Sequence, residues 1–133
     1  MRYGIVLAML LAVTACMEKN PSSPTVPLNQ QFELAPGQSA NVQGASIRVS
    51  FLRVLGDSRC PADALCIQGG DAIVGIQVEP DGSPAVPYEL HTGDMRPVKH
   101  GDLTIELVQL SPYPFSSRTI QPDEYRATLR VTR

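Results

Sequence analysis

The chain has 133 residues, of which 43% are hydrophobic and 18% are charged, and its formal net charge is −2 at pH 7. Basic and acidic residues are interspersed and the balance is slightly acidic, so the sequence has no basic stripe of the kind that binds nucleic acid or a polyanion. The length suits one domain with one hydrophobic core.

The first residues have the layout of an export signal. Arg2 precedes an apolar run over residues 5–13, and the run is followed by Thr14, Ala15 and Cys16. This arrangement resembles the signal peptide of a bacterial lipoprotein, which ends in a lipobox. The run is shorter than the ~20 residues that a membrane-spanning helix needs. The resemblance implies that residues 1–15 are removed and that the Cys16 thiol carries acyl groups, such as palmitate, that anchor the protein to a membrane.

The same resemblance bears on location in the cell envelope. Met17, rather than Asp, follows the cysteine and favours the outer membrane if the source has two membranes. The alternative is an ordinary secretory signal with Cys16 as a bystander, which would leave an odd thiol in an oxidising compartment.

The segment after the cysteine is rich in proline. Three prolines fall within residues 18–27, and no apolar periodicity accompanies them. Such a composition predicts a flexible tether over residues 16–27. An edge strand is the disfavoured alternative, because proline has no N–H to donate. The folded domain is then expected to span residues 28–133.

Strand patterns dominate the rest of the chain. Five runs alternate apolar and polar residues with period two, which is typical of strands with one buried face. These runs start near Ile47, Ala72, Val86, Leu103 and Tyr125, and two shorter strands are expected at residues 32–34 and 40–42. About seven strands predict an antiparallel β-sandwich of immunoglobulin-like architecture with Greek-key connections, and a small β-barrel is the alternative.

In two of these runs the alternation slips by one residue. The slips follow Phe51 and Leu107. A β-bulge at each slip would keep both halves of the strand facing the core. Burial of both faces near the strand end is the alternative.

Two cysteines besides Cys16 lie in a loop between predicted strands. Outside the cytoplasm, the pair Cys60 and Cys66 is most simply a disulfide, and closure of this small ring contributes about 2.4 kcal/mol in the chain-entropy model. A redox pair or a thiolate metal site is the alternative. A third is a calcium site formed by Asp57, Asp63 and Asp71, although these acids lack the spacing of a calcium loop.

The histidines are the candidate metal ligands. His91 and His100 flank Met95 in a segment that is expected to form the turn of a hairpin, with His91 pointing outward. Imidazole and thioether ligands suit copper. Two histidines and no nucleophile motif give little support for catalysis, so we expect a protein that is not an enzyme and needs no cofactor.

Aromatic residues alternate with prolines just before the last strand. Tyr113 and Phe115 lie next to Pro112 and Pro114. Aromatic side chains on rigid loops often anchor protein partners. The favoured alternative is that both rings fold back over the end of the sandwich, because soluble domains rarely leave two rings bare.

The run Asp57-Ser58-Arg59-Cys60-Pro61, followed by Cys66 and a glycine at 69 or 70, resembles a loop of small uncharacterised bacterial lipoproteins and secreted proteins. Many members have an aromatic residue soon after the second cysteine, where this chain has Gln68. The resemblance implies no particular chemistry.

Two hypotheses of function follow from the sequence. The first is a lipid-anchored cell-envelope protein with a non-enzymatic binding or structural role, whose contact surfaces are the Cys60–Cys66 loop and residues 112–115. The second is a periplasmic carrier of a copper-type metal that uses His91, Met95 and His100.

Overall fold

The fold is an all-β sandwich. The computed structural model describes residues 23–133, so the predicted signal peptide and Cys16 lie outside the described residues. Within them two sheets pack against each other, which confirms the β-sandwich. The nine strands of this part of the chain are β1 (Thr25–Val26), β2 (Gln31–Leu34), β3 (Ser39–Val42), β4 (Ile47–Asp57), β5 (Ala72–Pro80), β6 (Val86–His91), β7 (Val98–His100), β8 (Leu103–Ser111) and β9 (Arg126–Thr132).

The strand order differs from the predicted Greek key. One sheet has the order β1-β3-β4-β5-β6 and the other has the order β2-β9-β8-β7. Strands β3 to β6 are neighbours in chain order in the first sheet, and strands β7 to β9 are neighbours in chain order in the second. The other two pairs, β1 with β3 and β2 with β9, are not consecutive, and the chain changes sheets after β1, after β2 and after β6. The alternative of a small barrel is wrong for the described residues, since the two sheets do not close into one.

Both predicted bulges are present. The register of β4 against β5 shifts between Phe51 and Arg53, and that of β8 against β9 shifts between Leu107 and Gln109. A second shift in β4 lies between Val54 and Gly56. After each predicted slip the strand regains the core, because Val54 packs against it and Leu110 is buried.

The core consists of the inward-facing residues of both sheets. Phe51, Ile76, Leu90, Ile105 and Leu129 are fully buried, and each belongs to one of the five runs that alternate in the sequence. The strand assignment and the buried face thus follow from the period-two pattern.

The structure corrects the predicted end of the tether. Residues Thr25–Val26 form an edge strand that runs parallel to β3. The flanking prolines do not prevent this pairing, because the segment accepts hydrogen bonds: Asn41 N–H donates to the Pro24 carbonyl and Gln43 N–H donates to the Val26 carbonyl, each at 2.8 Å. Proline lacks a donor but keeps its acceptor.

Candidate functional site

A buried ion pair lies where the long loop leaves β4. The side chains of Asp57 and Arg59 are 12% and 6% exposed. Arg59 donates two parallel hydrogen bonds to the Asp57 carboxylate, from Nε to Oδ1 at 2.8 Å and from a terminal nitrogen to Oδ2 at 2.7 Å. Although burial opposes both charges, this contact lowers the pKa of Asp57 and raises the pKa of Arg59. Two-point pairing of this kind is the strong form of a charge-assisted hydrogen bond.

The same guanidinium holds a second loop. Its two terminal nitrogens donate to the carbonyl of Leu110 at 2.9 Å and to the carbonyl of Pro112 at 3.0 Å. Arg59 also lies over the ring of Tyr113, 5.4 Å from its centre. Arg59 therefore joins the end of β4, the disulfide loop and the loop that follows β8.

A tyrosine completes this cluster. The Tyr125 hydroxyl donates to Asp57 at 2.9 Å. Burial and this hydrogen bond raise the pKa of Tyr125 to about 12. The phenol thus stays protonated and donating at physiological pH, and the Asp57 carboxylate is bonded on both oxygens.

We expect Arg59→Ala to lower the free energy of unfolding by about 3–5 kcal/mol, because it leaves a buried carboxylate without its cation. Urea unfolding of the full chain measures this. Arg96→Ala is the matched control: Arg96 is 85% exposed and pairs with Asp94 at the surface, so its loss should change stability by less than about 0.5 kcal/mol. Equal effects of the two substitutions would contradict the anchoring role of Arg59.

The long loop is closed at its neck. Ser58 N–H donates to the Asp71 carbonyl at 2.7 Å, and Asp71 N–H donates to the Ser58 hydroxyl at 3.1 Å. The backbone of Gly70 passes so close to this neck that a Cβ there would lie 1.5 Å from the Ser58 carbonyl oxygen. Gly69 has open space at the same position. Of the two glycines after Cys66, Gly70 is therefore the one that the fold requires.

Gly70→Ala should therefore destabilise the domain by about 1–3 kcal/mol or more, because the backbone must shift to admit a methyl group. Gly69→Ala should be close to neutral. The comparison of the two melting temperatures tests the close approach directly. Two variants that melt alike would show that the neck does not depend on it.

The cysteines are joined across the loop. Cys60 and Cys66 form the predicted disulfide, with their Cα atoms 6.0 Å apart. The three flanking acids do not converge on a calcium site. Asp57 is held by Arg59, Asp63 accepts hydrogen bonds from Ser116, and Asp71 accepts from Gly93 at 2.7 Å.

The disulfide loop and the proline-rich loop lie against each other at one end of the sandwich. Ala62 N–H donates to the Pro114 carbonyl at 2.9 Å, and Ser116 N–H donates to Asp63 at 2.8 Å. Four large apolar side chains on these two loops are open to solvent, and we call them the apical surface. They are Leu65 and Ile67, each fully exposed, and Tyr113 and Phe115, which are 55% and 52% exposed.

The two aromatic rings do not fold back as favoured from the sequence. Tyr113 covers the Arg59 guanidinium with one face and leaves about half of its surface in solvent. Phe115 sits on a tight turn in which Arg118 N–H donates to the Phe115 carbonyl at 3.2 Å. Arg59 and Tyr125 are buried at this end of the sandwich, whereas about half of each of the two rings stays in solvent.

A histidine and a carboxylate pair beside the loop neck. His91 Nδ1 lies 2.5 Å from Asp71 Oδ2, and its Nε2 lies 4.0 Å from Glu89. The hydrogen bond to Asp71 raises the pKa of His91. Desolvation opposes ionisation of Asp71, but hydrogen bonds from His91 and Gly93 hold the pKa of this carboxyl below its usual value. The pair connects the end of β6 to the residue that precedes β5. The His91 side chain is partly exposed and points outward, as predicted.

This pair makes stability depend on pH. Because the pKa of His91 is raised in the folded state, protonated His91 stabilises the fold fully at pH values below its unfolded pKa of 6.5. This stabilisation is lost as pH rises through the folded pKa. Because the pKa of Asp71 is lowered in the folded state, ionised Asp71 stabilises the fold at pH values above its unfolded pKa of 3.8. This stabilisation is lost as pH falls through the folded pKa. The contribution should therefore be greatest between these two pH values.

The measurement is the melting temperature of wild type minus that of His91→Gln, followed from this interval to pH values above the folded pKa of His91. We expect the difference to shrink from mildly acidic to mildly alkaline pH. In an Asp71→Asn background the difference should be small and flat. A difference in wild type that stays constant with pH would refute the linkage.

The predicted metal ligands are not brought to one point. His100 Nδ1 lies 2.8 Å from the Tyr88 hydroxyl, whereas His91 is bound to Asp71. The expected hairpin between them is wrong, because β6 and β7 belong to different sheets. Among residues 23–133 no group of three or more His, Cys, Asp or Glu is arranged to hold a metal ion. A role as a metal carrier therefore stays a prediction, and no group of ligands among the described residues supports it.

Sequence reasoning did not single out Arg59 or Ile67 as site residues, and it included Leu65 only as part of the Cys60–Cys66 loop. Arg59 lies two residues after Asp57 and directly before Cys60. This spacing of an acid and a base was the available sign that the two side chains form an ion pair. Leu65 and Ile67 flank Cys66 in a segment with no strand pattern. Apolar residues that no alternation assigns to a core are candidates for exposure.

Comparison with protein-family models, with curated proteins and with solved structures finds no match for this chain. The resemblance of the Asp57–Cys66 loop to small bacterial lipoproteins thus stays a prediction. In the described part of the chain, no helix has the length and hydropathy needed to cross a membrane.

Proposed function

We propose that this chain is a lipid-anchored protein of the cell envelope that binds a protein partner, without catalysis, through the apical surface. The observation that carries the proposal is the full exposure of Leu65 and Ile67 on a loop that a disulfide closes. Large aliphatic side chains scattered singly on a surface are ordinary, but four apolar side chains on two adjoining loops are typical of an interaction site.

The loops that carry this surface are well braced. The ion pair of Arg59, the bonds at the neck and the disulfide hold the first loop, and Asp63 and Arg59 hold the second. A braced loop loses little conformational entropy when a partner binds, so more of the contact energy becomes affinity. Tyr113 adds an aromatic ring with a polar end, a side chain that recurs in energetically important contacts.

The location rests on the leader sequence. The lipobox resemblance at Cys16 supports anchoring, and Met17 supports the outer membrane where two membranes exist. Residues 17–24 separate Cys16 from β1, and eight residues span at most about 29 Å when fully extended.

Crosslinking in the native cell, followed by mass spectrometry, tests this function. We expect one or more partners whose yield falls at least about tenfold in Leu65→Ser/Ile67→Ser, as for loss of central interface contacts. The matched control is Val86→Ser, which removes an exposed aliphatic side chain on β6.

The anchor is tested in the same cells. Cys16→Ser should move the protein out of the membrane fraction, and the mature amino terminus of wild type should carry acyl groups. Partner yields that the loop variant leaves unchanged would overturn the binding surface. An unmodified thiol at Cys16 would overturn the anchoring.

A further inference from the structure

The outer face of the five-stranded sheet carries a second apolar surface, which is formed by strand residues and includes none of the four apical side chains. A groove of about 720 Å³ runs across β4, β5 and β6. Its lining includes Leu52, Arg53, Leu55, Gly75, Pro87 and Glu89.

The ridge and the trough on this face come from two sequence features, the register shifts of β4 and the glycine at position 75. The register shifts of β4 leave Leu52 and Leu55 without a partner on β5, and each side chain is 43% exposed. On the neighbouring strand Gly75 has no side chain, and Leu55 leans over it to within 3.6 Å of where a Cβ would be. A ridge of leucines thus stands beside a trough, on a face that a plain alternating strand would make polar.

The charges on this face are arranged in a row. Gly75 pairs with Arg53 of β4 on one side and with Glu89 of β6 on the other. The two charged residues are thus two strand spacings apart, or about 10 Å between backbones. Among residues 23–133 Arg53 forms no ion pair, and the pairing of Glu89 is a 4.0 Å contact with His91. A cation and an anion therefore flank the trough with little neutralisation inside the chain.

This row is self-complementary about one axis. A two-fold axis parallel to the strands and passing above Gly75 would set Arg53 of one protomer opposite Glu89 of its partner, and the reverse pair would form on the other side. The leucine ridge of each protomer would then lie over the β6 side of the other. An axis across the strands would instead set like charges face to face. An isologous interface needs this kind of self-complementarity.

We propose that two copies of this chain pack sheet against sheet through this face, about the axis that runs along the strands. The contact has the form of ordinary sheet-on-sheet packing, with inner faces about 10 Å apart. Its lining residues include none of the four side chains of the apical surface.

Sedimentation equilibrium of the full chain in density-matched detergent micelles, over a concentration series, tests the dimer. Wild type should associate to dimers. Arg53→Glu and Glu89→Arg should each weaken association at least about tenfold, because each sets two like-charged pairs in the interface. An equimolar mixture of the two variants should regain wild-type association, since every Glu at 53 then faces an Arg at 89 and every native Arg53 faces a native Glu89.

Leu65→Ser serves as the control and should dimerise as wild type does, which separates this interface from the apical surface. Circular dichroism should show that both charge variants keep the fold. A wild type that stays monomeric overturns the proposal. So does a dimer that Arg53→Glu leaves intact, and so does a mixture that fails to associate.

Discussion

The end of the sandwich that carries the loops depends on the buried contact of Arg59 with Asp57. A guanidinium that is only 6% exposed must have its donors bonded, and the acceptors it uses are the Asp57 carboxylate and the carbonyls of Leu110 and Pro112. These acceptors lie on two stretches of backbone, one at the end of β4 and one at the end of β8. Because an unpaired buried charge costs several kcal/mol, the two loops are held in one relative position rather than in many.

This constraint explains why the same end of the molecule can be both irregular and preorganised. Loops without strand hydrogen bonds usually move, yet here the neck at Ser58, the disulfide and the arginine replace the missing ladder. Polar groups of the two loops bond to one another, as Asp63 does to Ser116 and Ala62 N–H does to the Pro114 carbonyl. Apolar side chains such as Leu65 and Phe115 are open to solvent on the same loops, which is the arrangement expected of a surface that meets a partner.

The strands form an apolar surface on the outer face of the five-stranded sheet. Bulges keep the inward side of β4 in register with the core, and the residues they displace must go to the other face. Leu52 and Leu55 are those residues, and the trough at Gly75 lies beside them. A feature that serves packing on one side of the sheet therefore creates an apolar surface on the other. The two proposed interfaces use different residues, one set on loops and the other on strands.

The sequence by itself favoured the sandwich over a barrel, and it predicted most of the strands, the buried face of the alternating runs, the two positions at which the alternation slips, and the pairing of Cys60 with Cys66. All of these follow from local periodicity or from a count of cysteines. Only the tertiary structure decided the strand order, the edge strand at Thr25–Val26 and the contacts of Arg59. The reason is distance along the chain: the carbonyls that Arg59 binds are 51 and 53 residues away, and a period of two residues carries no information about which loop a side chain will reach.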